Sequence, residues 1–296
     1  PGLVPVVKGN GYGLGRPALM PIAAGLADTI AVGSVYEATD VPADRTALVL
    51  TPHVGPLPEA LPGSAVLTVG SVSHVAALAG QRWRGAVVFK LASSMRRFGA
   101  RPDELAALAD AAEQAGLDVA GYSIHLPLAG DDDARVGEIE AWLGRLDPGL
   151  SLSVSHLGPA AYAGLRDRHP ERRLALRVGS ALWHADKTTL HLSADVLDTH
   201  PVRAGDRVGY RHTPVGEHGT LVLLAAGSAH GVQPLDGGLS PFHHLRHRVA
   251  LIEPPHMHTS LVLIPHHLDP PRVGQRLDVQ RPLITALVDE LTWVDD

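Results

Sequence analysis

The sequence predicts an α/β protein: a (β/α)8 TIM barrel followed by a mostly antiparallel β domain. Over roughly the first 180 residues, short apolar runs alternate with helix-like segments, the pattern of a parallel sheet covered by helices. The apolar runs number eight, the strand count of such a barrel. Beyond residue 186 the helical periodicity fades, and short strand-like runs alternate with Pro, Gly and His, which reads as antiparallel β structure. A doubly wound sheet is the competing arrangement for the first part.

The eight runs fall at 4–7 (Val4-Pro5-Val6-Val7), 29–33 (Thr29-Ile30-Ala31-Val32-Gly33), 46–50, 65–69, 86–91, 118–124, 151–155 and 174–178. Helix-like segments include 102–115 and 134–146. The stretch from Glu104-Leu105-Ala106-Ala107-Leu108-Ala109 onward is rich in strong helix formers, with apolar residues at helical spacing. Two domains are expected, 1–186 and 187–296. In the second, Thr220–Ala225, Val249–Ile252 and Ser260–Ile264 are the clearest strand candidates. No internal repeat or low-complexity tract interrupts the chain.

The chain has 296 residues, 45% hydrophobic and 19% charged, a composition that buries a core rather than staying disordered. A net charge of −6 and the lack of a Lys/Arg stripe count against a nucleic-acid partner. With no cysteine, disulfides, thiolate metal sites and a cysteine nucleophile are excluded. No run of about 18 apolar residues suggests a membrane span. Pro1 leads almost directly into a strand, so the expectation is a truncated N-terminus, with any targeting signal upstream and out of view.

The most informative segment is Val6-Val7-Lys8-Gly9-Asn10-Gly11-Tyr12-Gly13-Leu14-Gly15. A lysine ends an apolar strand and a glycine-rich turn follows. In a barrel the C-terminal strand ends face the active site, where a desolvated lysine loses pKa and can form a Schiff base with an aldehyde. The glycines let backbone approach a bound group closely. By spacing alone, the same residues equally describe a surface lysine in a flexible turn.

This segment resembles the cofactor-lysine motif of alanine racemases, V-V-K-A-N-A-Y-G-H-G, with Gly for Ala twice and Leu for His. By that resemblance the chain is identified as a divergent, N-terminally truncated member of a pyridoxal-phosphate (PLP) family. The resemblance implies PLP carried on Lys8, with Tyr12 reaching its phosphate. Lys90-Leu91-Ala92-Ser93-Ser94-Met95-Arg96-Arg97-Phe98-Gly99 is similar to the family's K-V-D-T-G-M-x-R-x-G. It puts Arg97 on the arginine that meets the cofactor's phenolic oxygen and the substrate carboxylate. Lys90 falls on a lysine that some members carry as a carbamate; without the family, the stretch is also a plain basic turn.

Ile124-His125-Leu126 resembles T-H-F, making His125 a cofactor-site residue, although a lone histidine after a strand is more often a satisfied structural group. Ser155-His156-Leu157-Gly158 stands where the family has A-N-S-A. The serine position becomes Leu157, so a side-chain phosphate contact is lost or moved to Ser155 or His156, while the amides at Gly158 and its neighbours open a helix that can serve the phosphate. Leu176-Arg177-Val178-Gly179-Ser180-Ala181-Leu182-Trp183 resembles R-x-G-I-x-L-Y. It implies that Arg177 donates to the pyridine nitrogen and that Gly179 and Ser180 offer phosphate donors.

In the second domain, Val202–Tyr210 is similar to V-x-x-G-D-x-V-x-Y-G. Tyr210, by itself a half-buried strand residue, becomes the second base, contributed across a dimer interface. Gly227-Ser228-Ala229-His230-Gly231 replaces G-Y-A-D-G, and Pro255-His256-Met257-His258 replaces I-C-M-D, with Met257 retained toward the substrate. Ala286-Leu287-Val288-Asp289-Glu290 replaces T-I-N-Y-E. The chain's 18 histidines raise a metal alternative, since His243 and His247 at i, i+4 on a helix could share zinc. Their Pro-rich, carboxylate-poor surroundings favour no metal, and instead a mouth lined by imidazoles.

The resemblance implies a cytoplasmic homodimer that racemises alanine or a related small amino acid with two bases, Lys8 and Tyr210, and His125 tuning the tyrosine. Two rivals remain. One is a PLP-binding or regulatory paralogue without racemase activity, favoured by Ser228, His258 and Asp289. The other is a metal-assisted aldolase or dehydratase on the same barrel.

Overall fold

The computed structural model describes residues 2–294. By contact the chain forms two compact units: Pro1–Gly11 with Arg16–Trp183, and Tyr12–Gly15 with His184–Asp296.

The first unit is built on eight parallel strands: β1 (Leu3–Pro5), β2 (Thr29–Val32), β3 (Thr46–Val49), β4 (Ala65–Val69), β5 (Ala86–Leu91), β6 (Asp118–Ile124), β7 (Ser151–Ser155) and β8 (Leu174–Val178). They pair in the order β1-β8-β7-β6-β5-β4-β3-β2. The sheet closes into a barrel just past β1, where Val6 bridges Ala31 and the Val7 amide donates to the Ala31 carbonyl at 2.8 Å. All eight overlap the apolar runs of the sequence, since strands covered on both faces are mostly apolar, although β7 alternates serine with Leu152 and Val154. Ile30, Ala31, Val32, Val49, Leu67, Val69, Val87 and Leu91 are each at most 1% exposed.

Helices follow most strands: α1 (Arg16–Leu26), α2 (Val72–Gly80), α3 (Leu105–Gln114), α4 (Asp132–Leu143), α5 (Pro159–Arg168) and the single turn α6 (Ser180–Trp183). None follows β2 beyond a 3-10 turn at Ala38–Asp40, and none follows β3. The β3–β4 link carries Pro52, Pro56, Pro58 and Pro62, each of which removes a helix donor and restricts the residue before it.

The second unit is antiparallel. Its strands are β9 (Ser193–Val202), β10 (Arg207–Val208), β11 (Thr213–Pro214), β12 (Gly219–Leu224), β13 (Leu239–His244), β14 (His247–Leu251), β15 (Ser260–Pro265) and β16 (Arg276–Val279). Six close into a small barrel, β12-β15-β14-β13-β16-β9, and β10 pairs β11 in a separate ribbon. Alternate residues fill it: Ala194 and Val196, Val222 and Leu224, Val262 and Ile264, Leu277 and Val279, the period of two that strands impose. A smaller cluster of Val202, Val215, Leu221, Leu261 and Leu263 lies on the other face.

The helical reading of His243 and His247 is corrected here. Both lie on a hairpin, where His244 pairs His247 and Leu245 and Arg246 turn the chain with φ of 46° and 66°. Two consecutive positive φ values make the tight reversal that suits twisted strands, and the i, i+4 spacing of a helix does not arise.

Candidate active site

At the end of β1 the chain enters a turn with four glycines. A Cβ on Gly11 (φ 63°) would fall 2.5 Å from the Arg16 amide nitrogen, so only glycine fits. Glu37, arriving after β2, ties this turn down. One carboxylate oxygen accepts the Gly9 amide at 3.0 Å and the other accepts the Gly33 amide at 2.7 Å. Arg16 lies 4.0 Å from Glu37, pairs with Asp40 at 2.5 Å and donates to the Gly9 carbonyl. Lys8 itself is open to solvent. Partial burial of its ammonium lowers its pKa from 10.5; Arg97 and Arg177 push the same way, and Glu37 opposes them.

Lys90, on β5, is buried at 5% exposure. Burial first, then Arg177 and Arg97, hold its pKa well below the ordinary lysine value. The loop after it folds back on the strand: the Ala100 amide donates to the Lys90 carbonyl and the Ala92 amide to the Ala100 carbonyl. Ser93 donates its hydroxyl to the His125 carbonyl at 2.7 Å, while the Ser94 amide and hydroxyl both donate to Glu138. Arg97 rises from this loop, exposed, with its guanidinium 4.6 Å from the Phe98 ring centre.

Arg177, on β8, is buried at 4% exposure. One terminal nitrogen donates to Ser123 Oγ, Ser153 Oγ and the Ser153 carbonyl, and the other to the Ile124 carbonyl at 2.6 Å. These bonds staple β6, β7 and β8. Burial, then Arg97, lower its pKa from 12.5 to about 10, which leaves it charged at neutral pH.

Between these cations stand two imidazoles, His125 and His156, with ring centres 4.6 Å apart. Ser155 Oγ accepts the Leu126 amide at 3.3 Å and lies 3.0 Å from His125 Nδ1, to which it is hydrogen-bonded. His156 Nδ1 lies 2.7 Å from the Leu126 carbonyl, which can only accept, so the proton is on Nδ1 and Nε2 carries the lone pair. Burial, then Lys90, Arg177, His156 and Arg97, push the His125 pKa down to about 3. Burial is also the main reason that the His156 pKa is lowered.

Of the phosphate candidates, Ser155 is already engaged on both sides, which leaves His156 Nε2 as the free side-chain group of that pair. The Gly158 amide, at the start of α5, donates to Asp132 at 3.0 Å. Gly179 and Ser180 lie at the start of α6, where the Gly179 carbonyl takes the first helical bond, from Leu182 at 2.8 Å.

The remaining predicted residues belong to the second unit. Tyr12 has φ 58° and is buried; its carbonyl accepts His184 Nε2 at 2.7 Å. Tyr210 is not on a strand: β10 ends at Val208, Gly209 (φ 74°) turns the chain, and Tyr210 is 85% exposed. The sequence did not single out Glu253, 6% exposed, which organises this turn. Its carboxylate accepts the Tyr210 amide at 2.9 Å, the Arg211 amide at 3.1 Å, the Thr213 hydroxyl at 3.2 Å and His256 Nε2 at 2.5 Å. A Cβ on Gly209 would strike it. The His256 ring lies 4.2 Å from that of Tyr210. With Arg211, Glu253, Met257 and His258 they line a cavity of about 580 Å3. Met257 is exposed.

The three departures at the mouth lie around His230. Its Nδ1 accepts the Gly227 amide and its Nε2 donates to Asp289 at 3.0 Å; the His258 ring lies 5.7 Å away, and the Ser228 amide donates to the His256 carbonyl. Among the described residues no group of three or more His, Asp or Glu is placed to hold a metal, and no helix is long and apolar enough to cross a membrane. Glu37 and Glu253 escaped the sequence reading because each acts on amides 28 and 43 residues away, respectively, a distance at which periodicity carries no signal.

Residues 1–186 match the family model described as alanine racemase, N-terminal domain. An alanine racemase of Laribacter hongkongensis (strain HLHK9) is 32% identical over 161 residues, 49% of this chain and 43% of that relative. The alignment thus spans less than half of that relative's length. Among solved structures, alanine racemase from Bacillus anthracis with bound L-Ala-P superposes at a TM-score of 0.71 with 20% identity, over 98% of this chain and 80% of the other. Alanine racemase from Bartonella henselae, with covalently bound pyridoxal phosphate, gives 0.68 and 19% over 95% and 84%. That from E. faecalis gives 0.67 and 18% over 94% and 81%. At these identities the likeness establishes the fold.

Proposed function

The chain belongs to the alanine racemase N-terminal-domain family, and from that premise we propose that it is a PLP-dependent racemase of alanine or a related small amino acid. The observation that carries the reading is the Lys8 amine at a barrel-strand end, its pKa lowered by partial burial and by the cations Arg97 and Arg177, with Glu37 as the opposing carboxylate. Such a site suits an anionic aldehyde. Cations meet a phosphate and a carboxylate, and the lowered pKa yields the free amine that attacks a carbonyl. Bound PLP supplies an electron sink that makes the Cα proton of an attached amino acid removable.

The residues then divide the work. Lys8 takes or returns the proton on one face and Tyr210 on the other. Arg97 holds the substrate carboxylate, with Met257 at the substrate's side. Arg177 would hold the cofactor ring nitrogen, to which a guanidinium that stays protonated could only donate. Tyr12, Gly179 and Ser180 serve the phosphate and His125 lines the site; Gly158 joins them only if its amide leaves Asp132. We take the working form to be a homodimer in which Tyr210 of one subunit serves the lysine of the other, a reading that suits a tyrosine 85% exposed in the single chain.

The test begins with added PLP, borohydride reduction and peptide mapping. The chain's lysines are Lys8, Lys90 and Lys187, so the label has few places to go. It is expected on Lys8, with the visible absorption band lost in Lys8→Ala; label on Lys90 or Lys187 alone removes Lys8 from the mechanism. A racemisation panel then separates a racemase from a PLP-binding paralogue, the reading that Ser228, His258 and Asp289 favour.

A further inference from the structure

We propose that Glu37 is a positioning residue for Lys8: its carboxylate, bound to the Gly9 and Gly33 amides, fixes the turn that carries the amine at the barrel-strand end. The proposal rests on Lys8 being the functional amine. The geometry has three independent parts. Both carboxylate oxygens are spent on backbone amides, Gly9 immediately after Lys8 and Gly33 just past β2. This bridges the exit of β1 to the exit of β2, next to the seam where the barrel closes. The fit is tight: a Cβ on Gly33 would sit 2.9 Å from Glu37 Oε2 and 3.3 Å from Lys8 Cβ. Arg16, itself paired with Asp40, lies 4.0 Å from the carboxylate.

The charged and titratable groups that face Lys8 come from several elements. Arg97 stands on the loop after β5, Arg177 on β8 and His156 after β7. The arginines disfavour an ammonium, and Glu37 is the carboxylate that favours it. An amine with no such opponent would lose its proton at lower pH, and an untethered turn would let it wander. Glu37 therefore sets both where the amine stands and when it is free.

The experiment reads the amine directly, without cofactor. The native protein, Glu37→Gln and Glu37→Asp are labelled with a limiting amine reagent across a pH series. Labelling at Lys8 is quantified by peptide mass spectrometry, with exposed Lys187 as internal reference. Glu37→Gln is expected to lower the half-labelling pH of Lys8 by about half to one pH unit. Glu37→Asp, which keeps the charge, leaves it near native, and Lys187 does not move. An unchanged or raised midpoint in Glu37→Gln overturns the proposal, even where PLP still attaches to Lys8. Conversely, a lowered midpoint with no PLP attachment supports the role of Glu37 and sinks the racemase reading instead. Glu37→Ala is read the same way should the glutamine variant not fold.

Discussion

Acid should weaken this protein through His125 before most of its carboxylates titrate. In the folded chain His125 titrates at about 3, against an ordinary 6.5, because burial and the cations Lys90, Arg177 and Arg97 penalise its charged form. The unfolded chain takes up the proton first. Stability from this group is therefore complete above pH 6.5 and is lost as pH falls from 6.5 toward 3, below which no more is lost. One proton of difference is worth about 1.4 kcal/mol per pH unit. From pH 6.5 to about 4.5 that gives roughly 2.7 kcal/mol, which partial solvent access reduces to about 1–1.5 kcal/mol.

The perturbation is His125→Asn, which keeps a hydrogen-bonding group toward Ser155 and cannot be protonated. Urea unfolding of native and variant at about pH 7 and 4.5 isolates the term from other groups whose pKa is lowered, such as His156, His74 and Glu253, since those remain in both proteins. The expected result is that native loses about 1–1.5 kcal/mol more than the variant between the two pH values. Equal losses would mean that His125 carries its proton as readily folded as unfolded, and the account of a neutral imidazole among the cations would fail.

Two further substitutions test the scaffolding. Arg177→Met strips the Ile124 and Ser153 carbonyls of their buried donor, at about 1–3 kcal/mol each, while relieving the cost of burying a cation among cations. A net loss of about 2–4 kcal/mol by urea unfolding is expected, and less than about 1 kcal/mol would show that the fork does not hold β6, β7 and β8 together. Glu253→Gln replaces an acceptor of four bonds by an amide with one accepting oxygen, and should cost about 2 kcal/mol. Burial tends to raise the Glu253 pKa, but the bonds from His256, Arg211, Tyr210 and Thr213 outweigh it and hold it below 4.5. Its contribution is therefore present above pH 4.5 and lost below, a slope that the glutamine variant must lack.

The barrel was legible because its physics is local. A stretch such as Ala86-Val87-Val88-Phe89, covered on both faces, has to be an unbroken apolar run, and a lysine ending the first such run has to stand where barrel sites form. The four prolines between β3 and β4 were equally visible, and they account for a link without a helix. What escaped were partners chosen by the closed fold. Nothing around Glu37 or Glu253 marks them as acceptors for amides far along the chain, and nothing near Gly158 says that Asp132 takes its amide. Tyr12–Gly15 read as part of the first domain, yet the backbone of Gly13 packs so closely on Leu283 that a Cβ would sit 2.6 Å from its carbonyl. The hairpin at Leu245 and Arg246 hid for a related reason: two non-glycine residues at positive φ carry no turn signature.

The barrel site holds its charge unevenly, and the residue types explain how. Arg177 and Lys90 are both buried beside Arg97, under similar penalties, yet they end in different states. The guanidinium starts from 12.5 and is held by Ser123, Ser153 and Ile124, so it falls only to about 10 and stays charged. Lys90 starts from 10.5, has no hydrogen bond or ion pair to its ammonium among the described residues, and falls well below that value. Lys8, open to solvent and opposed by Glu37, is lowered as well, chiefly by partial burial. Repulsion within the cluster is thus released at the amines, while the arginines remain fixed cations. Exchanging the types would undo the division. Arg177→Lys would lose the fork that holds the charge and add a third amine able to shed its proton, and the repulsion that now lowers Lys8 would weaken. The expected signature is a higher half-labelling pH at Lys8 in Arg177→Lys than in the native protein, opposite in sign to Glu37→Gln; a lower one would mean that the fixed cation at Arg177 does not govern the amine.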